Sequence, residues 1–332
     1  MFSYPAEWTP HDACWLAWPS ARDLWEEDLD GVQLEFVEFC RAIKGEKLNI
    51  LVSDSRAEAS AKETLKDLAP NFFSIPYGDI WLRDTAPLFL KSKDQKTAAA
   101  RFSFNGWGNK YNLPHDPQIA SRISETLSKN IKTVSYTWVL EGGSLEVDDV
   151  GTCLTTEQCL LNPNRNPSFS KSVIETKLKD SLGVKKILWL KDGLLNDHTD
   201  GHIDTLARFA PNGFVICMRA QKDSDPNAQT LEKISNDLST FTNAMGERLK
   251  ILEIPSPGEI KDEDGILMPA SYVNFYISNE AVIVPTYESD YDEQAVNMIG
   301  QYFPDRKTIG RSAKNILKGG GAFHCITQQV PS

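Results

Sequence analysis

Cys325 follows the run Gly319-Gly320-Gly321-Ala322-Phe323-His324, and its thiol is the strongest nucleophile the sequence sets in a loop of this kind. Glycines let a backbone take positive φ and approach other groups closely, so such a loop can present a thiol to a cleft. Taken alone, a free cysteine reads more readily as a small buried apolar side chain than as a nucleophile. A nucleophilic role needs a base, an orienting group and a pocket, and three polar clusters bear on that. The segment His198-Thr199-Asp200-Gly201-His202-Ile203-Asp204 sets four ionisable groups in seven residues. As a helix it would place His198 and His202 on one face, where with Asp200 or Asp204 they suit a metal ion. Gly201 and the turn formers disfavour a helix. As a strand from Gly201 it would point His202 and Asp204 to one side, a general acid/base beside a carboxylate.

The second cluster is Asp79-Ile80-Trp81-Leu82-Arg83-Asp84. As a strand it has Asp79, Trp81 and Arg83 on one face and Asp84 on the other. Burying Asp84 in so apolar a stretch is costly without a cationic partner, and Trp81 suits a flat cation by stacking. Arg83 reads as the partner of a further carboxylate. Glu141, before Gly142 and Gly143, adds another acid, and Arg165 sits in a turn-forming tract where it can clamp carboxylates. Acids around a thiol raise its pKa and stabilise no oxyanion, so an ordinary acyl-transfer nucleophile would be badly served. They suit a cationic electrophile instead. Guanidinium is planar, and its N–H groups match a carboxylate two at a time.

These clusters need elements to hold them. Short apolar or β-branched runs alternate with amphipathic helical stretches along the whole chain, which indicates an α/β fold. Strands are expected at 48–52, 80–90, 98–104, 135–140, 152–155, 186–190, 213–218, 250–254, 272–277, 281–285 and 323–327. Helices are expected at 23–43, 57–68, 117–128, 170–182, 228–243 and 293–302, with Ser170 as a cap and Gly183 as a stop. The polar clusters recur at strand ends, Asn274 among them, where ligands sit on a rigid scaffold. No linker or low-complexity tract divides the chain, so residues 1–332 are expected to form one catalytic domain. Neither a dinucleotide fingerprint nor a phosphate-binding loop is present.

Composition excludes several classes. The formal charge of -11 disfavours nucleic acid and anionic membranes as partners. No apolar run is long enough to span a bilayer, and the N-terminus lacks the pattern of a secretory signal. Six scattered cysteines without a CxxC pair indicate reduced thiols and a cytoplasmic location.

Five blocks resemble the signatures of the agmatine deiminases and of the related bacterial-type peptidylarginine deiminases, members of the guanidino-group-modifying superfamily. They are 79–87, 104–108, 140–143, 199–204 and 319–329. The opening 5–8 with 15–19, and the stretch 268–276, extend the resemblance over nearly the whole chain. It implies a five-bladed α/β propeller with pseudo-fivefold symmetry, the pentein fold, whose central cleft gathers residues from every blade. It further implies Cys325 as nucleophile, His202 as general acid/base, Asp84 and Asp204 as the grip on the guanidinium, Glu141 beside the histidine and Trp81 in the pocket. Asp200 is added as a substrate contact. One departure is Ala86, where the family often has glycine. The expected activity is hydrolysis of agmatine to N-carbamoylputrescine and ammonia through an amidino-cysteine intermediate, with no cofactor and no metal. Arginine, peptidyl-arginine or another guanidine is the alternative substrate, and a metal-dependent hydrolase built on His198 and His202 the alternative class. A homodimer is compatible with this reading.

Overall fold

In the computed structural model, which describes residues 2–332, the strands fall into five small sheets built on one plan. In each, a short strand runs antiparallel to a central strand, a helix follows, and the next strand returns parallel to the central one. The strands Leu88–Ser92, Thr97–Ser103 and Lys132–Val139 form one such unit, with the helix Ile119–Thr126 in its crossover. Glu146–Val147, Thr152–Thr156 and Lys186–Leu190 form the next around the helix Lys171–Leu182. Ala207–Ala210, Phe214–Arg219 and Lys250–Pro255 repeat it with Ala228–Thr240. So do Tyr276–Ile277, Ala281–Thr286 and Lys307–Ser312 with Asp292–Gly300. The fifth unit is assembled from both ends of the chain. The last strand, Gln328–Pro331, pairs antiparallel with His11–Ala17, which runs parallel to Lys47–Val52 after the helix Leu29–Ala42. This is the five-bladed α/β arrangement that the resemblance implies, and pairing the two chain ends inside one sheet closes it.

Local chemistry explains the element ends. Asp54 Oδ1 accepts from the N–H groups of Arg56 and Ala57, both at 2.8 Å, and so caps the helix Ser55–Thr64, a device worth about 1 kcal/mol. Ser170 caps the helix Lys171–Leu182, and Gly183 ends it at φ 67°, both as the sequence indicates. The central strands carry continuous buried stretches, such as residues 281–285 of the strand Ala281–Thr286, and so read as apolar runs without alternation. No helix among the described residues is long and apolar enough to cross a membrane.

Three expected strands are not strands where they matter most; of 272–277 only Tyr276–Ile277 is extended, so Asn274 lies ahead of the strand. Residues 82–85 form a single helical turn, and the strand begins only at Leu88. Residues 323–326 form a turn, and the last strand begins at Gln328. Both stretches are apolar enough to pass for strands, but each must swing its polar residue inward at a blade tip. The strand His11–Ala17 escaped notice because its buried Trp15 and Cys14 break any period-two pattern.

Candidate active site

The same kind of tight turn precedes the first strand of each sheet, and these turns meet. Leu82–Thr85 carries Asp84, and Gly142–Ser144 follows Glu141. Ile203–Thr205 carries Asp204 with His202 at its cap, 272–273 lead to Asn274, and 323–326 carry Cys325. All six side chains are buried, Cys325 being the most accessible at 7%. Gly143 shows how closely they converge. A Cβ there would lie 2.6 Å from His202 Nδ1, 3.0 Å from Asp84 Oδ1 and 3.1 Å from Asp204 Oδ2, so only glycine fits.

Cys325 Sγ lies 3.6 Å from Asp204 Oδ2 and 3.2 Å from Asn274 Nδ2. Burial pushes its thiol well above the usual range, and the charges of Asp204 and Asp84 push it further. Its loop is fixed from beneath. The buried Arg83 donates to Gln329 Oε1 at 2.7 Å, Thr327 Oγ1 at 3.2 Å and the carbonyl of His324 at 3.3 Å. That is the structural role the sequence allows for Arg83, with the side-chain oxygens of Gln329 and Thr327 as its nearest partners and the carboxylate of Glu7 at 3.8 Å. His324 bridges two carboxylates, Asp204 Oδ2 at 2.7 Å and Glu7 Oε2 at 2.8 Å.

His202 stands between Asp84 Oδ2 and Glu141 Oε2, each 3.8 Å from one ring nitrogen. Burial alone would lower its pKa. Asp84, Cys159 and Glu141 outweigh burial and hold the ring well above the usual histidine range, as imidazolium. Behind it, Arg165 Nε donates to both oxygens of Glu141 at 3.0 Å, and Arg165 Nη1 reaches Asp200 at 2.5 Å. Glu141 is held below its usual range, since His202 and Arg165 outweigh its burial. Asp84 accepts from the backbone N–H of Gly143 and from Trp107 Nε1, both at 2.8 Å. Ala86 sits at φ -82°, ψ 164°, ordinary extended backbone, so the departure from glycine costs nothing here.

A cleft of about 300 Å³ opens above Cys325. Its walls include Asp84 and the indoles of Trp25, Trp81 and Trp107. Asp79 accepts from Trp25 Nε1 at 2.9 Å and Trp81 Nε1 at 2.8 Å, and burial pushes its carboxyl up to about 6. The glycine loop rests on these rings: a Cβ on Gly319 would meet Trp25 at 2.4 Å and Trp81 at 2.6 Å. Among the described residues one ammonium, Lys318, reaches the cleft, and it is already paired with Asp28 and Glu263 at 2.6 and 2.5 Å.

The structure therefore brings together Cys325, His202, Asp84, Asp204 and Glu141, and lines the cleft with Trp81. Asp200 is a correction. Its oxygens are taken by Lys110, Asn164 and Arg165, and it does not line the cleft, so it braces Arg165 instead of meeting a substrate. The metal set built on His198 is a second correction. His198 bonds Tyr111 at 3.1 Å at the cleft rim, and Asp200 is occupied, because Gly201 breaks the helix that would align His198 with His202. Among the described residues, the side chains close enough to share a metal ion are instead Glu141, Cys159 and His202, and the guanidinium of Arg165 already holds that carboxylate. Sequence reasoning missed Trp25, Trp107, Cys159, His324 and the contact of Asn274 with the sulfur. Asn274 alone carried a signal, as a polar residue at a strand end.

A sequence model described as the Porphyromonas-type peptidyl-arginine deiminase family matches residues 3–331. The agmatine deiminase of Medicago truncatula is 35% identical over 365 residues, covering 100% of this chain and 96% of the relative. A structure described as agmatine deiminase of Enterococcus faecalis catalysing its reaction superposes with a TM-score of 0.92 at 32% identity, covering 100% of this chain and 96% of that one. A C. jejuni agmatine deiminase with substrate bound, carrying serine for one cysteine, gives 0.91 at 29% identity, with 100% and 97% covered.

Proposed function

Because this chain belongs to the Porphyromonas-type peptidyl-arginine deiminase family, we propose that it is an agmatine deiminase, hydrolysing agmatine to N-carbamoylputrescine and ammonia. The observation that carries the reading is the charge of the cleft. Acids and indoles surround the thiol, which suits a guanidinium, and the single ammonium at the cleft is neutralised by two acids. Among the described residues a substrate carboxylate would find no free cation there, which favours agmatine over free arginine.

In this reading Asp84 and Asp204 bind the guanidinium, and its positive charge lowers the pKa of the Cys325 thiol, whose proton passes to solvent. The thiolate attacks the guanidinium carbon and a C–S bond forms. His202, already imidazolium, gives its proton to the departing nitrogen, so the C–N bond breaks and ammonia leaves. The now neutral His202 takes a proton from water, and the hydroxyl adds to the amidino carbon. Collapse breaks the C–S bond, returns the thiolate and leaves the ureido product once the hydroxyl proton is lost. Glu141 holds His202 in place, with Arg165 and Asp200 behind it. No step requires a cofactor or a metal ion. The enzyme would act in the cytoplasm.

The test compares ammonia release from agmatine, arginine and a peptidyl-arginine, with and without EDTA, in the wild type and in Cys325→Ala. Turnover of agmatine that survives EDTA and vanishes in the variant is expected. Ammonia release by folded Cys325→Ala, or loss of activity in EDTA restored by metal, would overturn the assignment.

A further inference from the structure

Lys318 stands at the base of the glycine run that leads to Cys325. A Cβ on Gly321 would lie 3.1 Å from the sulfur, and the Lys318 side chain, further back along the same run, still lines the cleft. Three residues of chain span at most about 10 Å, so Lys318 borders the space that the tail of a guanidine reaches when its head is at Cys325. Two acids from distant segments meet the ammonium there. Asp28 ends the short helical turn Glu26–Asp28, lines the cleft itself and lies 2.6 Å away. Glu263 lies 2.5 Å away, on the turn between Lys261 and Leu267. The two acids leave one negative charge in excess over Lys318. Beyond them opens a wider hollow of about 530 Å³, which shares Asp28 and Lys318 with the cleft and adds Asp197 and Asp262. Lys110, on its wall, is already paired with Asp200 and offsets none of this.

We propose that Asp28 and Glu263 are specificity-determining residues. By occupying Lys318 they withhold an ammonium from substrate tails, and their excess charge selects guanidines with a cationic far end over those ending in a carboxylate. The inference rests on the guanidinium being held at Cys325, as in the reading above, and names what sets the substrate class of that site. Stability gives little reason for the arrangement, because the Glu263 side chain is 76% exposed and exposed ion pairs contribute little to a fold. Its consequence for a ligand is larger. Arginine differs from agmatine by its α-carboxylate alone, and in this cleft that group approaches two acids and a cation already engaged. With both acids neutralised it would approach a free ammonium.

The test is the double variant Asp28→Asn, Glu263→Gln, which keeps hydrogen-bond acceptors for Lys318 and removes their charge. Ammonia release gives kcat/KM for arginine and for agmatine. Arginine is expected to gain about tenfold and agmatine to lose about threefold, the scale of one exposed ion pair made or lost. Adding Lys318→Met should cancel the gain for arginine, which needs the ammonium. The concentrations of each compound that halve Cys325 alkylation by iodoacetamide report the same preference from binding alone, with or without turnover. A thermal melt confirms folding, and the single variants, each expected to show a smaller shift in the same direction, serve if the double variant does not fold. An unchanged arginine-to-agmatine ratio in a folded variant, including a loss shared equally by both compounds, overturns the proposal. So does a gain for arginine that survives Lys318→Met. A wild type that prefers arginine, with a ratio that still shifts towards arginine in the variant, upholds the role of the two acids and removes only the agmatine assignment.

Discussion

Asp204→Asn should have opposite effects on two reactions of the same sulfur. Asp204 Oδ2 is 3.6 Å from Cys325 Sγ. Two unit charges at that distance repel by about 4–5 kcal/mol at an effective dielectric near 20. The His324 ring, 2.7 Å from the same oxygen, shares that charge, so roughly half of the repulsion, on the order of 2 kcal/mol, is felt by a thiolate. Removing it raises the thiolate fraction about thirtyfold. A less basic thiolate is also a slower nucleophile, so alkylation by neutral iodoacetamide should quicken only about fivefold to tenfold. Deimination should move the other way. Losing a charged hydrogen-bonding partner for the guanidinium costs about 3–4 kcal/mol, hundreds-fold in kcat/KM. Both rates come from one preparation, by mass spectrometry and by ammonia release, with a thermal melt to confirm folding. The reasoning fails if alkylation of the folded variant is unchanged or slower, because the acids would then not be what restrains the thiol.

Two further outcomes concern the charges beneath the site. Arg165→Met leaves Glu141, whose side chain is 0% exposed, without its guanidinium, and should destabilise the fold by about 3–5 kcal/mol; a melting temperature within a degree or two of wild type would contradict this. Glu7 is held well below its usual range because Arg208 and His324 together outweigh its burial. A depressed carboxylate stabilises the fold above its unfolded value and loses that contribution as pH falls through the folded one. Glu7→Gln should therefore be less stable than wild type at neutral pH, and the gap should close below about pH 4. Urea melts at several pH values would show this, and a gap that widens in acid would refute it.

Which residues gather at the candidate site was largely legible in the chain, because a thiol among acids is at odds with ordinary scaffold and points to a cationic electrophile. Cys325, His202, Asp84, Asp204 and Glu141 follow from residue type and from the blocks they sit in, and the alternation of apolar runs and helices indicates the fold class. How they meet was not legible. Period-two reasoning put Asp84 and Cys325 on strands, whereas each lies in a tight turn ahead of one. Local pattern cannot register that difference, because both turns are buried and apolar. The neighbours of the sulfur come from segments about 50 to 120 positions away, Asn274 and Asp204 among them. Only closure of the five sheets brings them within hydrogen-bond reach. The direction of each pKa shift was likewise a tertiary decision. Burial opposes every charge in the cleft, and whether a group ends above or below its usual range depends on which partner the fold sets beside it: Arg165 for Glu141, His324 for Asp204, and two carboxylates for Cys325.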